Sequence, residues 1–175
     1  MPRGLSRTSR SGIYWVPWTA GFRTVVRATA TTSWPTFAGV ADLLLDTGAW
    51  VALVDRRERE HARCVDALRN VTGRLVTTEA ILTEILWLVG GLRDGPRACA
   101  EFVRRGAVML VPTSMESLSR AVDLMVRYRN VPMDYADAAL VVLGEDLGPD
   151  SIFTLDRRGF GVYRMHARRL FRVVP

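Results

Sequence analysis

The stretch Asp42-Leu43-Leu44-Leu45-Asp46-Thr47-Gly48 decides how this chain folds. The apolar run over 41–45 ends at an aspartate, and this pattern predicts a buried strand. Further short apolar runs follow at 74–77, 108–111 and 151–155, separated by segments with helical periodicity. Strands that alternate with helices predict an α/β fold, in which a parallel sheet carries helices on both faces.

The helices are predicted from apolar periodicity and from the residues that begin and end them. They span 49–54, 56–70, 78–89, 95–105, 114–128 and 134–147, and a last edge strand is predicted over 170–174. Thr78 and Ser114 suit the N-cap position, and Gly90 and Gly106 follow helix ends.

The composition excludes several classes of protein. The 175 residues suit one ordinary domain, and a hydrophobic fraction of 49% supports a sizeable core. No run reaches the roughly 18 apolar residues that a membrane span needs. Two cysteines and two histidines are too few for a disulfide framework or a histidine-rich metal centre.

The positive charge is concentrated at the start of the chain. Residues 1–39 carry five arginines and no acid, whereas residues 40–175 carry 19 arginines and 18 acids. An arginine-rich, acid-poor segment is typical of a transit peptide or a basic arm. Because the patterned sequence begins near Val40, we expect 1–39 to be a basic extension, disordered or a mis-assigned start. The functional domain is expected over 40–175.

Carboxylates stand where the predicted strands end and where a predicted helix begins. Asp46 and Asp156 each follow an apolar strand, and the carboxyl ends of parallel strands meet at one edge of a sheet. Glu84 lies beside the apolar stripe of its helix, where its charge needs an arginine or a cation as partner. Asp134 suits the N-cap of the last helix, and Asp137 lies among small apolar residues in its first turn.

An all-oxygen set of this kind favours a hard cation. Carboxylates that converge without histidine or cysteine suit Mg²⁺ or Mn²⁺. Such sites hold one or two ions that activate water and clamp a phosphate.

Four pieces of the chain occur in a recognisable order. They are Leu44-Leu45-Asp46-Thr47-Gly48, Thr83-Glu84-Ile85-Leu86, Asp134-Tyr135-Ala136-Asp137-Ala138 and Thr154-Leu155-Asp156-Arg157-Arg158-Gly159-Phe160. In this order and spacing the chain from about 41 to 174 resembles a PIN domain, specifically a VapC-type toxin ribonuclease of a type II toxin–antitoxin system.

The resemblance assigns roles to the acids. The family's catalytic and metal-binding quartet corresponds to Asp46, Glu84, Asp137 and Asp156. Thr154 matches a supporting polar position that helps to hold metal or water, and Asp134 matches an acid found in some members.

The resemblance also implies a fold, an activity and partners. The implied fold is a three-layer α/β/α domain with a central, mostly parallel sheet of short strands. The implied activity is Mg²⁺-dependent cleavage of single-stranded or looped RNA, with Mn²⁺ as a substitute. Water activated by the metal attacks phosphorus in line and leaves 5′-phosphate and 3′-hydroxyl ends. Such toxins pair with a small antitoxin, tend to form homodimers and act in the bacterial cytoplasm.

Arginines near the acids are candidates for contact with the RNA backbone. Arg157 and Arg158 adjoin the last acid, and Arg57 belongs to a second basic cluster with Arg56 and Arg59. For the second cluster, a solvated helix face is an equally good interpretation.

Three alternatives stay open at this point. Asp46-Thr47-Gly48 also resembles an aspartic-protease signature, although such enzymes are mostly β and need a second aspartate. A housekeeping RNA-processing nuclease would share the same site. A non-catalytic binding module would keep the fold and use the acids only to organise an interface.

Overall fold

The structure is a computed structural model that describes residues 42–175. The strands in this part are β1 (Leu43–Leu45), β2 (Leu75–Thr78), β3 (Val108–Val111), β4 (Ser151–Phe153), β5 (Arg164–Met165), β6 (Arg169–Leu170) and β7 (Arg172–Val174). The helices are α1 (Thr47–Val54), α2 (His61–Arg69), α3 (Glu79–Leu88), α4 (Gly95–Arg104), α5 (Met115–Arg127) and α6 (Tyr135–Leu147). The predicted N-terminal extension over 1–39 lies outside the described residues.

Five strands form a parallel sheet in the order β3-β2-β1-β4-β7, which places β1 at its centre. Leu44 of β1 pairs with Val76 of β2 on one side and with Ile152 of β4 on the other. All three leucines of β1 are buried, as expected for a central strand whose two faces are both covered by helices. The predicted α/β class with a mostly parallel sheet of short strands is confirmed.

The order of the strands reverses beside β1. From β1 the chain adds β2 and β3 toward one edge, whereas β4 and β7 lie on the other side. Parallel crossovers are right-handed, so connections that run in opposite directions cover opposite faces of the sheet. At such a switch point a crevice opens outside the carboxyl ends of the strands, here between β1 and β4.

Helix α6 packs closely on the central strand because it carries a glycine at the contact. A Cβ added to Gly144 would lie 3.0 Å from Leu44 Cδ1 and 3.3 Å from Phe171 Cε1. The absent side chain therefore lets the helix approach β1. This contact fixes the position of α6 and of Asp137 in its first turn.

The helix predicted over 56–70 is wrong in its first part, since α2 begins at His61. Every residue over 55–60 is charged, so this stretch has no apolar side chain to bury. Asp55 instead accepts hydrogen bonds from the Arg57 backbone N–H at 3.0 Å and from Arg57 Nε at 3.1 Å. Local side-chain bonds of this kind favour a turn over a helix.

The edge strand predicted over 170–174 is divided in the structure. β5 and β6 form a small antiparallel pair, and β7 pairs in parallel with β4. Phe171 between them is buried and packs edge-to-face on Phe160, with ring centroids 5.7 Å apart. Burial of this ring turns the chain from the small pair toward the main sheet.

The parallel sheet excludes the mostly β architecture of an aspartic protease, which Asp46-Thr47-Gly48 had raised as an alternative. Within 42–175, every helix is too short or too polar to cross a lipid bilayer.

Candidate active site

The candidate site lies at the switch point, where β1 and β4 end side by side. Asp46 directly follows β1, and its backbone N–H donates to the Phe153 carbonyl of β4 at 3.0 Å. The residue is only 8% exposed. Helix α1 begins at Thr47, two residues earlier than predicted, because Asp46 serves as its N-cap.

Two threonines hold the Asp46 carboxylate. Its Oδ1 accepts from the Thr47 backbone N–H at 2.7 Å, and its Oδ2 accepts from the Thr154 hydroxyl at 2.5 Å. The Thr154 oxygen in turn accepts from the Asp156 backbone N–H at 2.9 Å. Thr154 is fully buried, so it fixes Asp46 relative to the chain that carries Asp156.

Glu84 joins the same network from α3. The Thr47 hydroxyl donates to Glu84 Oε2 at 2.5 Å. One residue therefore contacts two of the predicted acids, through its backbone N–H and through its hydroxyl. The sequence left the partner of Glu84 open between an arginine and a cation, and the structure provides a hydroxyl.

Asp137 reaches the site from the first turn of α6. Asp134 is the N-cap of this helix, as predicted, and its Oδ1 accepts from the Asp137 backbone N–H at 2.9 Å. The Asp137 Oδ2 accepts from the hydroxyl of Tyr163 at 3.1 Å. Asp134 is exposed, whereas Asp137 is half-buried.

Asp156 is exposed and its carboxylate is bound by the turn that follows it. Its Oδ1 accepts from the backbone N–H groups of Arg158 at 3.0 Å and Gly159 at 3.1 Å. A Cβ on Gly159 would clash with Asp156 Oδ2 and lie 2.9 Å from the Tyr163 ring. Glycine at this position lets the turn close around the carboxylate.

Burial and mutual repulsion shift the acidity of two of these groups. Burial is the largest cause that raises the pKa of Asp46 to about 6, and the charges of Glu84 and Asp156 add to it. The pKa of Asp137 rises to about 7 because of burial and then of the Asp134 and Asp46 charges. Hydrogen bonds from hydroxyl groups oppose both shifts. The acids are therefore close enough to affect one another's charge.

The donor set fits a hard divalent cation in chemistry and charge. The available ligands are carboxylate oxygens, and a cation would relieve the repulsion that raises the two pKa values. In the part of the chain from 42 onward, no three Asp, Glu, His or Cys side chains already converge as a metal site.

Of the three arginines predicted to bind RNA, two lie next to Asp156 and one lies in the turn after α1. Arg157 and Arg158 are exposed next to Asp156, and the Arg157 guanidinium donates to the Pro175 carbonyl oxygen at 2.5 Å. Arg57 lies in the turn after α1 and binds Asp55.

Two site residues were not assigned from the sequence. Thr47 directly follows Asp46 in the sequence, and this position next to a predicted acid was the only indication of its role. Tyr163 contacts Asp137 across 26 residues of sequence, and no local pattern indicates this contact.

Comparisons with known proteins agree with this geometry. A family model described as "PIN domain" matches residues 43–164. The chain is also 29% identical over 136 residues to Ribonuclease VapC26 of Mycobacterium tuberculosis, covering 76% of this chain and 100% of that protein.

Solved structures share the fold at low sequence identity. VapC20 of M. tuberculosis, described as a sarcin-ricin loop cleaving toxin, superposes with a TM-score of 0.63 and 18% identity over 76% of this chain and 99% of that one. A chain of a toxin–antitoxin complex from Klebsiella pneumoniae gives a TM-score of 0.57 and 14% identity over 76% and 96%. A chain of VapBC2 from Rickettsia felis, solved with a DNA fragment from its promoter, gives 0.55 and 9% over 77% and 99%.

Proposed function

Because the chain belongs to the PIN domain family, we propose that it is a divalent-metal-dependent endoribonuclease, the toxin of a toxin–antitoxin pair. One observation carries the proposal: the hydrogen-bond network that links Asp156, Thr154, Asp46, Thr47 and Glu84 at the switch point of the sheet. The similarity to Ribonuclease VapC26 supports RNA as the substrate.

The proposed cation is Mg²⁺, with Mn²⁺ as a substitute. Its ligands would come from the acidic quartet, which is Asp46, Glu84, Asp137 and Asp156. When bound, the cation would polarise the phosphodiester and make water a better nucleophile. Thr154 and Thr47 orient the carboxylates, and no side chain needs to bond covalently to the substrate.

The proposed substrate is single-stranded or looped RNA, and the proposed location is the bacterial cytoplasm. Arg157 and Arg158 border Asp156 and are exposed, so they are suited to bind phosphates beside the acids. Arg57 is a weaker candidate because Asp55 already neutralises its guanidinium.

The proposed partners are a cognate antitoxin and a second copy of this chain. The toxin–antitoxin complexes among the similar structures support the antitoxin. For the second copy, helix α5 offers an exposed apolar stripe, formed by Met115, Leu118, Val122 and Val126.

Charges of opposite sign lie at the two ends of α5. Glu116 is exposed at the start of α5, and Arg127 is exposed at its end. If two copies of α5 pack antiparallel about a two-fold axis near Val122, Glu116 of each copy faces the end that carries Arg127 in the other. The α5 stripe is therefore the surface that we propose for homodimer formation.

The test is cleavage of a structured RNA by the purified chain. We expect cleavage with Mg²⁺ or Mn²⁺, none with EDTA, and products that carry 5′-phosphate ends. Asp46→Asn should abolish cleavage. Asp66→Asn, a control that removes an exposed acid paired with Arg69, should leave it unchanged. Full activity in EDTA would disprove the metal mechanism.

Two further results would select the alternatives. Cleavage without toxicity in cells, and without an antitoxin that suppresses it, would indicate a housekeeping RNA-processing nuclease. Metal-independent partner binding without any cleavage would indicate a non-catalytic binding module.

A further inference from the structure

The hydroxyl of Tyr163 connects Asp137 to the loop that precedes α6. It lies 2.6 Å from the Pro132 carbonyl oxygen and 3.1 Å from Asp137 Oδ2. The residue as a whole is fully buried. A buried tyrosine hydroxyl at such distances is held by its surroundings and in turn holds the groups that it contacts.

The ring of Tyr163 is fixed on two sides by other aromatic rings. Tyr128 packs against it edge-to-face with centroids 5.2 Å apart, and Phe160 does so at 5.3 Å. Gly159 approaches it where a Cβ would lie 2.9 Å from the ring. The position of the hydroxyl therefore follows from core packing and not from a mobile surface side chain.

The single proton of this hydroxyl has two acceptors within reach. Both acceptors lie within hydrogen-bond distance of the hydroxyl, so Tyr163 links Asp137 Oδ2 to the loop that precedes α6. Among the hydrogen bonds of residues 42–175, Asp137 Oδ1 has no donor, so this oxygen is the one left to reach a cation.

We propose that Tyr163 is a positioning residue, which holds Asp137 by Oδ2 and directs Oδ1 toward the divalent cation of the active site. This inference rests on the proposed function, because it needs the metal site at the acidic quartet. Hydrogen-bond partners of metal ligands contribute about 10- to 100-fold to metal affinity.

The experiment is calorimetric titration of the full chain with Mn²⁺ alone, for the native protein, Tyr163→Phe and Tyr128→Phe. Phenylalanine keeps the ring packing and removes only the hydroxyl. Tyr128→Phe is the matched control, because that hydroxyl accepts from the Arg164 backbone N–H at 3.0 Å and makes no bond to Asp137. Melting in EDTA first verifies that each variant folds.

We expect Tyr163→Phe to weaken Mn²⁺ binding at least about 10-fold, while Tyr128→Phe binds as the native chain does. RNA cleavage by Tyr163→Phe should fall at limiting Mn²⁺ and recover when Mn²⁺ is raised. A purely structural role would not produce this recovery.

Two other outcomes are distinguishable. Equal Mn²⁺ affinity in the native chain and Tyr163→Phe, or equal losses in both tyrosine variants, would overturn the inference about Tyr163. No Mn²⁺ binding by the native chain would instead overturn the metal site of the proposed function.

Discussion

Burial is the main cause that raises the pKa of two aspartates at the site. Asp46 is almost fully buried and Asp137 is half-buried, and the charges of neighbouring acids raise the pKa of both. In the folded chain without a cation, each negative charge here reduces stability. The same charges are what a divalent cation would bind.

Removing one of these charges should separate stability from activity. Asp137→Asn keeps the size of the side chain and removes the carboxyl group, whose pKa is raised to about 7. After allowance for its partial exposure, we expect the unfolding free energy near pH 8 in EDTA to rise by roughly 2 kcal/mol. Cleavage should fall by orders of magnitude, and toxicity in cells should disappear.

Glu84→Gln should also lose cleavage without strong destabilisation, because an amide oxygen can still accept from the Thr47 hydroxyl. Thermal melts and RNA cleavage assays of both variants measure these effects. Strong destabilisation with cleavage retained would show that the carboxylates are structural.

The stability of the metal-free protein should fall as pH rises from about 4 to about 7. The folded-state pKa values of Asp46 and Asp137 are about 6 and about 7, against an unperturbed value of 3.8. The folded chain therefore binds more protons than the unfolded chain across this window. The stabilisation is fully present below the unperturbed pKa and is lost as pH rises through the folded-state values.

Thermal melts in EDTA near pH 5 and near pH 8 measure this dependence. Asp137→Asn should reduce the difference in melting temperature between the two pH values. Mn²⁺ should stabilise the protein more at pH 8 than at pH 5, because the ionised carboxylates bind the cation. A melting temperature in EDTA that rises over this pH range would contradict the prediction for Asp46 and Asp137.

At the scale of helices, the ends of α1 and α6 combine capping with chemistry. Asp46 and Asp134 are the N-caps of these helices, and Asp137 lies in the first turn of α6. The partial positive charge of a helix N-terminus favours acids at these positions. The capping interpretation of Asp46 and its proposed role at the metal are therefore compatible.

The exposed face of α5 makes a prediction about assembly. Val122 is at the middle of the α5 stripe and is 48% exposed. Val122→Asp should convert a homodimer to a monomer without unfolding the chain, because the new charge would be buried only between two copies. Sedimentation or light scattering gives the mass of each variant.

Val162→Asp is the matched control, since Val162 is 44% exposed and lies outside α5. It should leave the mass unchanged. A native chain that is monomeric at micromolar concentration, or a dimer that survives Val122→Asp, would contradict the role of the α5 stripe.

At the scale of the whole molecule, the sheet order brings distant segments to one place. The strands that precede Asp46 and Thr154 are adjacent because the chain crosses to the other side of β1 after β3. The sheet and all four proposed catalytic acids lie within residues 42–175.

Deleting residues 1–39 should therefore leave folding and RNA cleavage intact. The segment holds five arginines and no acid, so its removal lowers the net charge from +6 to +1 without removing a proposed ligand. Melting curves and cleavage assays of 40–175 and of the full chain test this. Loss of the cooperative transition on deletion would show that the segment belongs to the fold.

Much of the fold could be predicted because its signals are local. The burial of Leu43, Leu44 and Leu45 follows from three apolar residues in a row, and the start of α6 follows from Asp134 as a cap. The start of α2 could not be predicted, since charged residues over 55–60 fit a helix face as well as a turn. The hydrogen bonds from Arg57 to Asp55 favour the turn and delay the start of α2 to His61.

The sequence by itself determined which chemical groups the proposed site would contain, because four acids in a recognisable order predict an all-oxygen centre. Only the tertiary structure decided how those groups are held. Thr47 bridges Asp46 and Glu84, and Tyr163 reaches Asp137, through contacts between segments far apart in the chain. Such contacts depend on how helices and strands pack against one another. The local periodicity of a sequence does not show which distant side chains this packing brings together.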